Sequence, residues 1–332
     1  MKRNWRSNTL VFFLGMFLWA PVLFGEEAPD PINILRKHFE LPAGDSFKVE
    51  IGPRPQNRLD RFLRISSRSV RIPSVVKTRI ERNNTIDGMF YEPNEPTDRA
   101  ILFLPWFKDR NIDKVEWICQ FLAASGYKVF FMPMGYQFGR APKGYGSGSF
   151  IGKGGGTDHL QEWARQAVLD VRRSRKWLIE SQGIHPEKLG LLGISLGGFI
   201  GALTYGVCPE WRSAAIVLAG GNLANLLKVG ADLGVPQVTK ELKRFGVDAK
   251  DLPALIRPFD PITYADPSRK KGLFLANGLF DPLVPFPLGQ DLWAAYGKPN
   301  RLILPSGHAS SVVFTPLILT RVLRHMDRTL KR

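Results

Sequence analysis

The chain has 332 residues, 44% of them apolar, with two cysteines and a formal charge of +16. That apolar share supports a large core and excludes a disordered chain, and two cysteines are too few for a disulfide-held scaffold. At roughly 150 residues per domain the length would admit two domains, and a single large α/β domain also reaches this size.

The first elements are not part of a fold. Lys2, Arg3 and Arg6 precede an apolar run from Leu10 to Phe24, and Glu26, Glu27 and Asp30 follow it. This is the layout of a secretory signal peptide over residues 1–25. The run is shorter than the ~20 residues that span a bilayer and contains Pro21. An exported protein, periplasmic or extracellular, is therefore expected, with an uncleaved N-terminal membrane anchor as the alternative. Residues 26–68 read as a polar extension punctuated by Pro29, Pro31, Pro42, Pro53 and Pro55, and no chemistry is assigned to them.

Basic residues recur along the chain, as in Arg54, Arg58, Arg61 and Arg64, or Arg172, Arg173, Arg175 and Lys176, or Arg324 and Arg328. They are interleaved with apolar positions, which is the pattern of solvated helix and strand faces rather than of a nucleic-acid site. No nucleic-acid partner is expected. A cationic exported protein would instead meet an anionic envelope surface, made of polymers or lipid head groups.

From Ser69 onward the pattern is regular. Val70–Ile72, Thr85–Tyr91 and Ala100–Leu104 read as strands. Asn111–Ser125 carries Ile112, Val115, Ile118, Cys119 and Leu122 at helical spacing before Gly126, and Lys128–Met132 is again β-rich. A helix follows over Asp158–Glu180, then a strand over Pro186–Leu192 and a glycine-rich helix over Leu196–Tyr205. Ala214–Leu218, Gly272–Ala276 and Arg301–Leu304 supply further strands, with helices at Phe286–Tyr296 and Val312–Thr329. Strands that alternate with helices predict an α/β fold, a mostly parallel central sheet covered by helices on both faces, over residues 69–332. Residues 221–264 break the rhythm as an irregular insertion. Cys119 and Cys208 are expected to be buried on opposite faces of that sheet.

Gly144 to Thr157 forms a glycine cluster that invites comparison with a phosphate-cradling loop. The residue five before Gly152 is Ser147 and the one after Lys153 is Gly154, so the pattern fails at both positions. A mobile loop at the carboxyl edge of the sheet, able to line a substrate cleft, is expected instead.

The chemistry begins at Gly193-Ile-Ser195-Leu-Gly197, which directly follows an apolar run and precedes a helix-compatible stretch. A sharp strand-to-helix turn crowds its middle residue, so the positions two before and two after must be small, and the turn lifts the hydroxyl where a base can reach it. A serine hydroxyl needs an imidazole to take its proton and a group to orient that imidazole. Of five histidines, His38 lies in the extension, His159 opens a helix, His185 precedes the serine's own strand and His325 is inside the last helix. His308 alone occupies a loop after a late strand, among Pro305, Ser306, Gly307, Ala309 and Ser310. The acid should follow a strand between the two, and Asp281 does, after Gly272–Ala276 and a turn. Asp260 and Asp266 precede prolines, where an aspartate caps its own turn. The chain order Ser, Asp, His is that of a known fold.

These residues resemble the α/β-hydrolase superfamily, nearest to its dienelactone-hydrolase-like, acetyl-xylan-esterase-like and prolyl-oligopeptidase-like branches, over roughly residues 69–332. The resemblance implies an α/β-hydrolase fold with an insertion before the acid-bearing strand. It makes Ser195 the nucleophile, His308 the general base and acid, Asp281 the residue that fixes the imidazole tautomer, and the Leu196 amide one oxyanion donor. Many members carry His-Gly after the third strand, whereas this chain reads Phe103-Leu104-Pro105-Trp106-Phe107. Pro105 has no N–H to give, so the amide of Trp106 or Phe107 must serve as second donor.

The expected function is an exported serine hydrolase of carboxylic esters, acting on small-molecule or polymer-borne substrates such as acylated polysaccharide or lipid, with no metal or organic cofactor. A catalytically impaired hydrolase fold used as a binding or envelope-associated protein is the alternative from another class, and a peptidase is a further enzyme reading.

Overall fold

The computed structural model describes residues 31–53, 58–107, 112–151, 157–225 and 252–330. The expected signal peptide (1–25) and much of the insertion (226–251) lie outside the described residues.

Four runs of the chain are buried at nearly every position and become neighbouring central strands: β4 (Ala100–Leu104), β6 (Leu189–Ile194), β7 (Ser213–Val217) and β8 (Leu273–Gly278). Continuous burial requires cover on both faces, which parallel strands with helical crossovers provide. Before them in the chain come β1 (Glu50–Ile51), β2 (Ile65–Pro73) and β3 (Thr85–Pro93); β5 (Lys128–Phe131) and β9 (Asn300–Leu304) complete the sheet. The spatial order is β1-β2-β3-β5-β4-β6-β7-β8-β9. β1, β2, β3 and β5 pair antiparallel in turn, and every pair from β5–β4 through β8–β9 is parallel.

Eight helices belong to this frame among the described residues: α1 (Pro31–Lys37), α2 (Arg58–Phe62), α3 (Asp113–Ala124), α4 (Thr157–Gln182), α5 (Leu196–Val207), α6 (Leu252–Ile256), α7 (Phe286–Ala295) and α8 (Thr315–Thr329). Alternate side chains of each central strand point to opposite faces. Ala100, Leu102 and Leu104 of β4 join the core under α4, α5 and α7, with Trp177, Ile200 and Leu292. Ile101 and Phe103 join the core under α3 and α8, with Val115, Leu122, Leu319 and Val322. Cys208 packs in the first core and Cys119 in the second, both free thiols. Among the described residues, no helix is long and apolar enough to cross a membrane.

Three differences from the sequence reading have physical causes. The boundary expected at residue 69 falls inside β2, because Ile65 pairs with Pro93 and the ladder with β3 runs unbroken to Pro73. Ser66, Ser67 and Arg68 hide that strand's apolar alternation. The extension also sends Phe39 into the core, fully buried. The last helix begins at Thr315 rather than Val312, after a 3-10 turn over Ser310–Phe314, with Pro316 in its first turn where a missing N–H costs nothing. The described part of the glycine cluster is tied to the preceding segment, since Gly148 N–H donates to Tyr136 O and Phe138 N–H to Ser147 Oγ.

Candidate active site

β6 ends at Ile194, α5 begins at Leu196, and Ser195 between them has φ 55 and ψ -117. This is a left-handed conformation that L residues adopt at a cost, and it is held by what surrounds it. Ser195 N–H donates to Val217 O at 2.8 Å and Gly197 N–H to Pro105 O at 3.0 Å, so the turn is bonded to the ends of both neighbouring strands. A Cβ on Gly193 would lie 2.2 Å from Gly197 O, and one on Gly197 would lie 2.3 Å from Leu104 O. Both glycines are required by contact and not by fashion of the motif.

The strands deliver the partners at the same carboxyl edge. Asp281 follows β8 and His308 follows β9, and the two loops are laced together by Leu279 N–H to Leu304 O at 2.8 Å and Phe280 N–H to Ser306 O at 3.0 Å. Ser195 Oγ lies 2.8 Å from His308 Nε2, and His308 Nδ1 lies 2.6 Å from Asp281 Oδ2. With Nδ1–H donated to the carboxylate, Nε2 presents its lone pair to the serine hydroxyl. The Asp281 side chain is 1% exposed, and its Oδ1 accepts from the amides of Leu283 and Val284, each at 2.9 Å. The arrangement can therefore move a proton from the serine to the imidazole while the carboxylate holds the ring.

Three other histidines and the two aspartates that precede prolines are occupied elsewhere. His325 Nε2 donates to Gly272 O at 3.1 Å, and burial brings its pKa down to about 4. His159 stacks on Tyr136 and burial lowers its pKa as well. His185 caps its own turn by accepting from Glu187 N–H. Asp260 accepts from the amides of Asn222, Leu223 and Ile262, and Asp266 from that of Ser268. Among the described residues, no three His, Cys, Asp or Glu side chains are arranged to hold a metal ion.

Leu196 opens α5, so its amide lies at a helix N-terminus, where backbone N–H groups favour negative charge. Trp106 and Phe107 follow β4 beside the turn. A residue that sequence reading does not single out controls them: Gln137, fully buried, donates through Nε2 to Trp106 O at 3.0 Å and accepts from Met134 N–H at 3.0 Å. Since C=O and N–H of one trans peptide point in opposite directions, fixing the Trp106 carbonyl also fixes the Phe107 amide. The Gln137 segment is itself pinned by Arg140, whose guanidinium donates to Asp170 Oδ2, Asn83 O and Pro133 O in a site closed to solvent. No local signal marks Gln137, because the partner that gives it a role, Trp106, lies 31 residues away in another loop.

The rim around the Asp281 and His308 loops is apolar. Phe280 and Leu283 are each 67% exposed, Val312 63% and Val313 76%.

No family model matches the chain. A segment of it is 28% identical over 184 residues to the acylamino-acid-releasing enzyme of Sus scrofa, covering 52% of this chain and 24% of that protein. The chain thus spans about a quarter of the length of that curated relative. Among solved structures, it is similar to an acetyl xylan esterase from Paenibacillus sp., with a TM-score of 0.63, 13% identity, and coverage of 90% of this chain and 92% of that one. A Pyrococcus furiosus esterase gives a TM-score of 0.55 at 20% identity, over 84% of this chain and 100% of that one. Acetyl xylan esterase 1 from Thermoanaerobacterium sp. gives 0.54 at 16% identity, over 87% and 92%. The mostly parallel central sheet covered by helices matches these neighbours in architecture, and the chain has the α/β-hydrolase fold.

Proposed function

We propose that the protein is an exported serine hydrolase that cleaves carboxylic esters through an acyl-enzyme intermediate on Ser195. The reading rests on the hydrogen-bonded chain from Ser195 Oγ through His308 to Asp281. In the first half-reaction Oγ attacks the ester carbonyl carbon while His308 Nε2 takes the hydroxyl proton. The oxyanion that forms is held by the Leu196 amide and by the amide of Phe107 or Trp106. His308 returns the proton to the leaving alcohol, and water, activated by the same imidazole, then releases the acid. Export rests on the leader pattern of residues 1–25.

The apolar rim formed by Phe280, Leu283, Val312 and Val313 supports esters with a hydrophobic part, such as glycerol or aryl esters, over acetylated sugar polymers. Purified protein should hydrolyse a short-chain p-nitrophenyl ester, and Ser195→Ala should reduce kcat by about 10³-fold or more. An unchanged rate in that variant would sink the assignment. A fluorophosphonate probe that fails to label the native protein would favour a silent binding protein instead.

A second reading, release of N-acylated amino acids, is favoured by the likeness to the Sus scrofa enzyme. Turnover of an acyl-amino-acid p-nitroanilide in preference to p-nitrophenyl esters would replace the esterase reading with this one.

A further inference from the structure

At the opposite ends of the strands that carry Asp281 and His308, the molecule has a second concave site. It is a cleft of about 380 Å³ between the start of β8, the start of β9 and the last two turns of α8. With 3.3 Å per residue along a strand, it lies about 20 Å from the serine. β9 is the edge of the sheet, so this side is open to a ligand.

Five cationic side chains converge there from three elements: Lys271 before β8, Arg301 on β9, and Arg321, Arg324 and Arg328 on α8. The last three stand three and four residues apart, which places them on one helix face. No carboxylate lines the cleft. Asp327, the helix's one acidic residue, is turned away and bonds Arg99 and Tyr127. Elsewhere on the surface some exposed arginines find acids, as Arg64 does with Glu95 and Arg212 with Glu187. Among the described residues, Lys271, Arg321, Arg324 and Arg328 take part in no ion pair. Arg301 is held in place by Gln290 at 2.7 Å and by the Trp293 ring at 4.1 Å from its centroid.

The carboxyl end of α8 favours cations, but like charges one turn apart on a helix repel, and no carboxylate lines the cleft to offset that repulsion. A ligand with two or more negative charges would. Guanidinium forks match the oxygens of phosphate in paired hydrogen bonds, and Arg301 is already positioned without cost on binding. We propose that the cleft between α8 and β9 is a binding site for a phosphate monoester or diphosphate group, separate from the Ser195 site. The chemistry is shared by soluble phosphate esters and by lipid head groups with an exposed phosphate.

The test uses the purified full chain at low and physiological salt. Inorganic pyrophosphate is titrated calorimetrically, and sedimentation is followed with vesicles of phosphatidylcholine alone or with added phosphatidic acid. The Arg321→Gln/Arg324→Gln double variant is compared with Arg64→Gln/Arg212→Gln, which removes the same charge from exposed positions elsewhere. Pyrophosphate should bind saturably, weaken by about ten-fold or more in the first variant, and be retained in the second. Ser195→Ala should bind as the native protein does, which keeps this result apart from the fate of the hydrolase reading. Phosphatidic acid binding that the first variant loses identifies a lipid source; pyrophosphate binding without vesicle binding identifies a soluble one. Absence of saturable pyrophosphate binding, or equal loss in both double variants, overturns the proposal and leaves a solvated basic face that guards the sheet edge.

Discussion

The Gln137 side chain donates to the Trp106 carbonyl at 3.0 Å, and so ties the loop after β5 to the loop beside the serine turn. If the Phe107 amide completes the oxyanion hole, Gln137 acts on the reaction through the peptide it orients. Gln137→Ala is expected to lower kcat for p-nitrophenyl ester hydrolysis by about ten-fold or more with little change in KM, approaching the about 10²- to 10³-fold loss seen when an oxyanion donor is removed outright. Gln137→Glu keeps the acceptor for Met134 but loses the donor, and should share the kcat defect. A change confined to melting temperature would make Gln137 a purely structural residue.

Gly197→Ala places a methyl group 2.3 Å from Leu104 O and 2.6 Å from Pro105 O. These are backbone atoms at the end of a central strand and just past it, and they cannot step aside as a side chain would. The expected outcome is a loss of about 1–3 kcal/mol in denaturant unfolding together with reduced fluorophosphonate labelling, because the serine turn must shift to relieve the contact. Native-like stability and labelling would show that the turn is looser than its geometry.

Arg140 and Asp170 are both closed to solvent, and Asp170 Oδ1 also accepts from Ser74 Oγ at 2.7 Å. Asp170→Ala leaves a buried guanidinium without its counter-charge, which should cost about 3–5 kcal/mol. Arg140→Met with Asp170→Leu removes both charges and should cost clearly less. Urea unfolding of the two variants distinguishes a broken pair from an absent one.

His325 titrates at about 4 in the folded protein, against 6.5 for an unburied histidine. Above 6.5 the ring is neutral in both states and contributes nothing to pH dependence. As the pH falls from about 6.5 to about 4, the unfolded chain takes up a proton that the folded protein refuses, and stability drops by roughly 3 kcal/mol before levelling off. The buried ring meets the Arg328 charge, which works in the same direction as burial. His325→Gln, which retains a donor for Gly272 O, should flatten this part of the profile in denaturant midpoints taken between pH 7 and pH 4.

The parallel half of the sheet is legible in the sequence because its strands are short, mostly apolar and separated by helices with clear stripes. Ser195, Asp281 and His308 are legible for a related reason: each lies at or just past the end of a parallel strand, and parallel strands bring their carboxyl ends to one edge. The antiparallel end is harder to read. β1 has two residues, and β2 opens with Ile65 followed by four polar residues that mask its alternation. Gln137 and the Arg140–Asp170 pair are illegible on other grounds. Their roles depend on loops and helices far apart in the chain, and a buried glutamine in a segment of glycine and proline looks no different from an exposed one.

Asp281 faces two ways: one oxygen holds the imidazole of His308, and the other is bound by the amides of its own turn at Leu283 and Val284. The acid is thus aimed by its immediate successors, within a single turn of the chain. The alignment of the imidazole is therefore encoded in four consecutive residues, Asp281 to Val284, and travels with that turn as a unit.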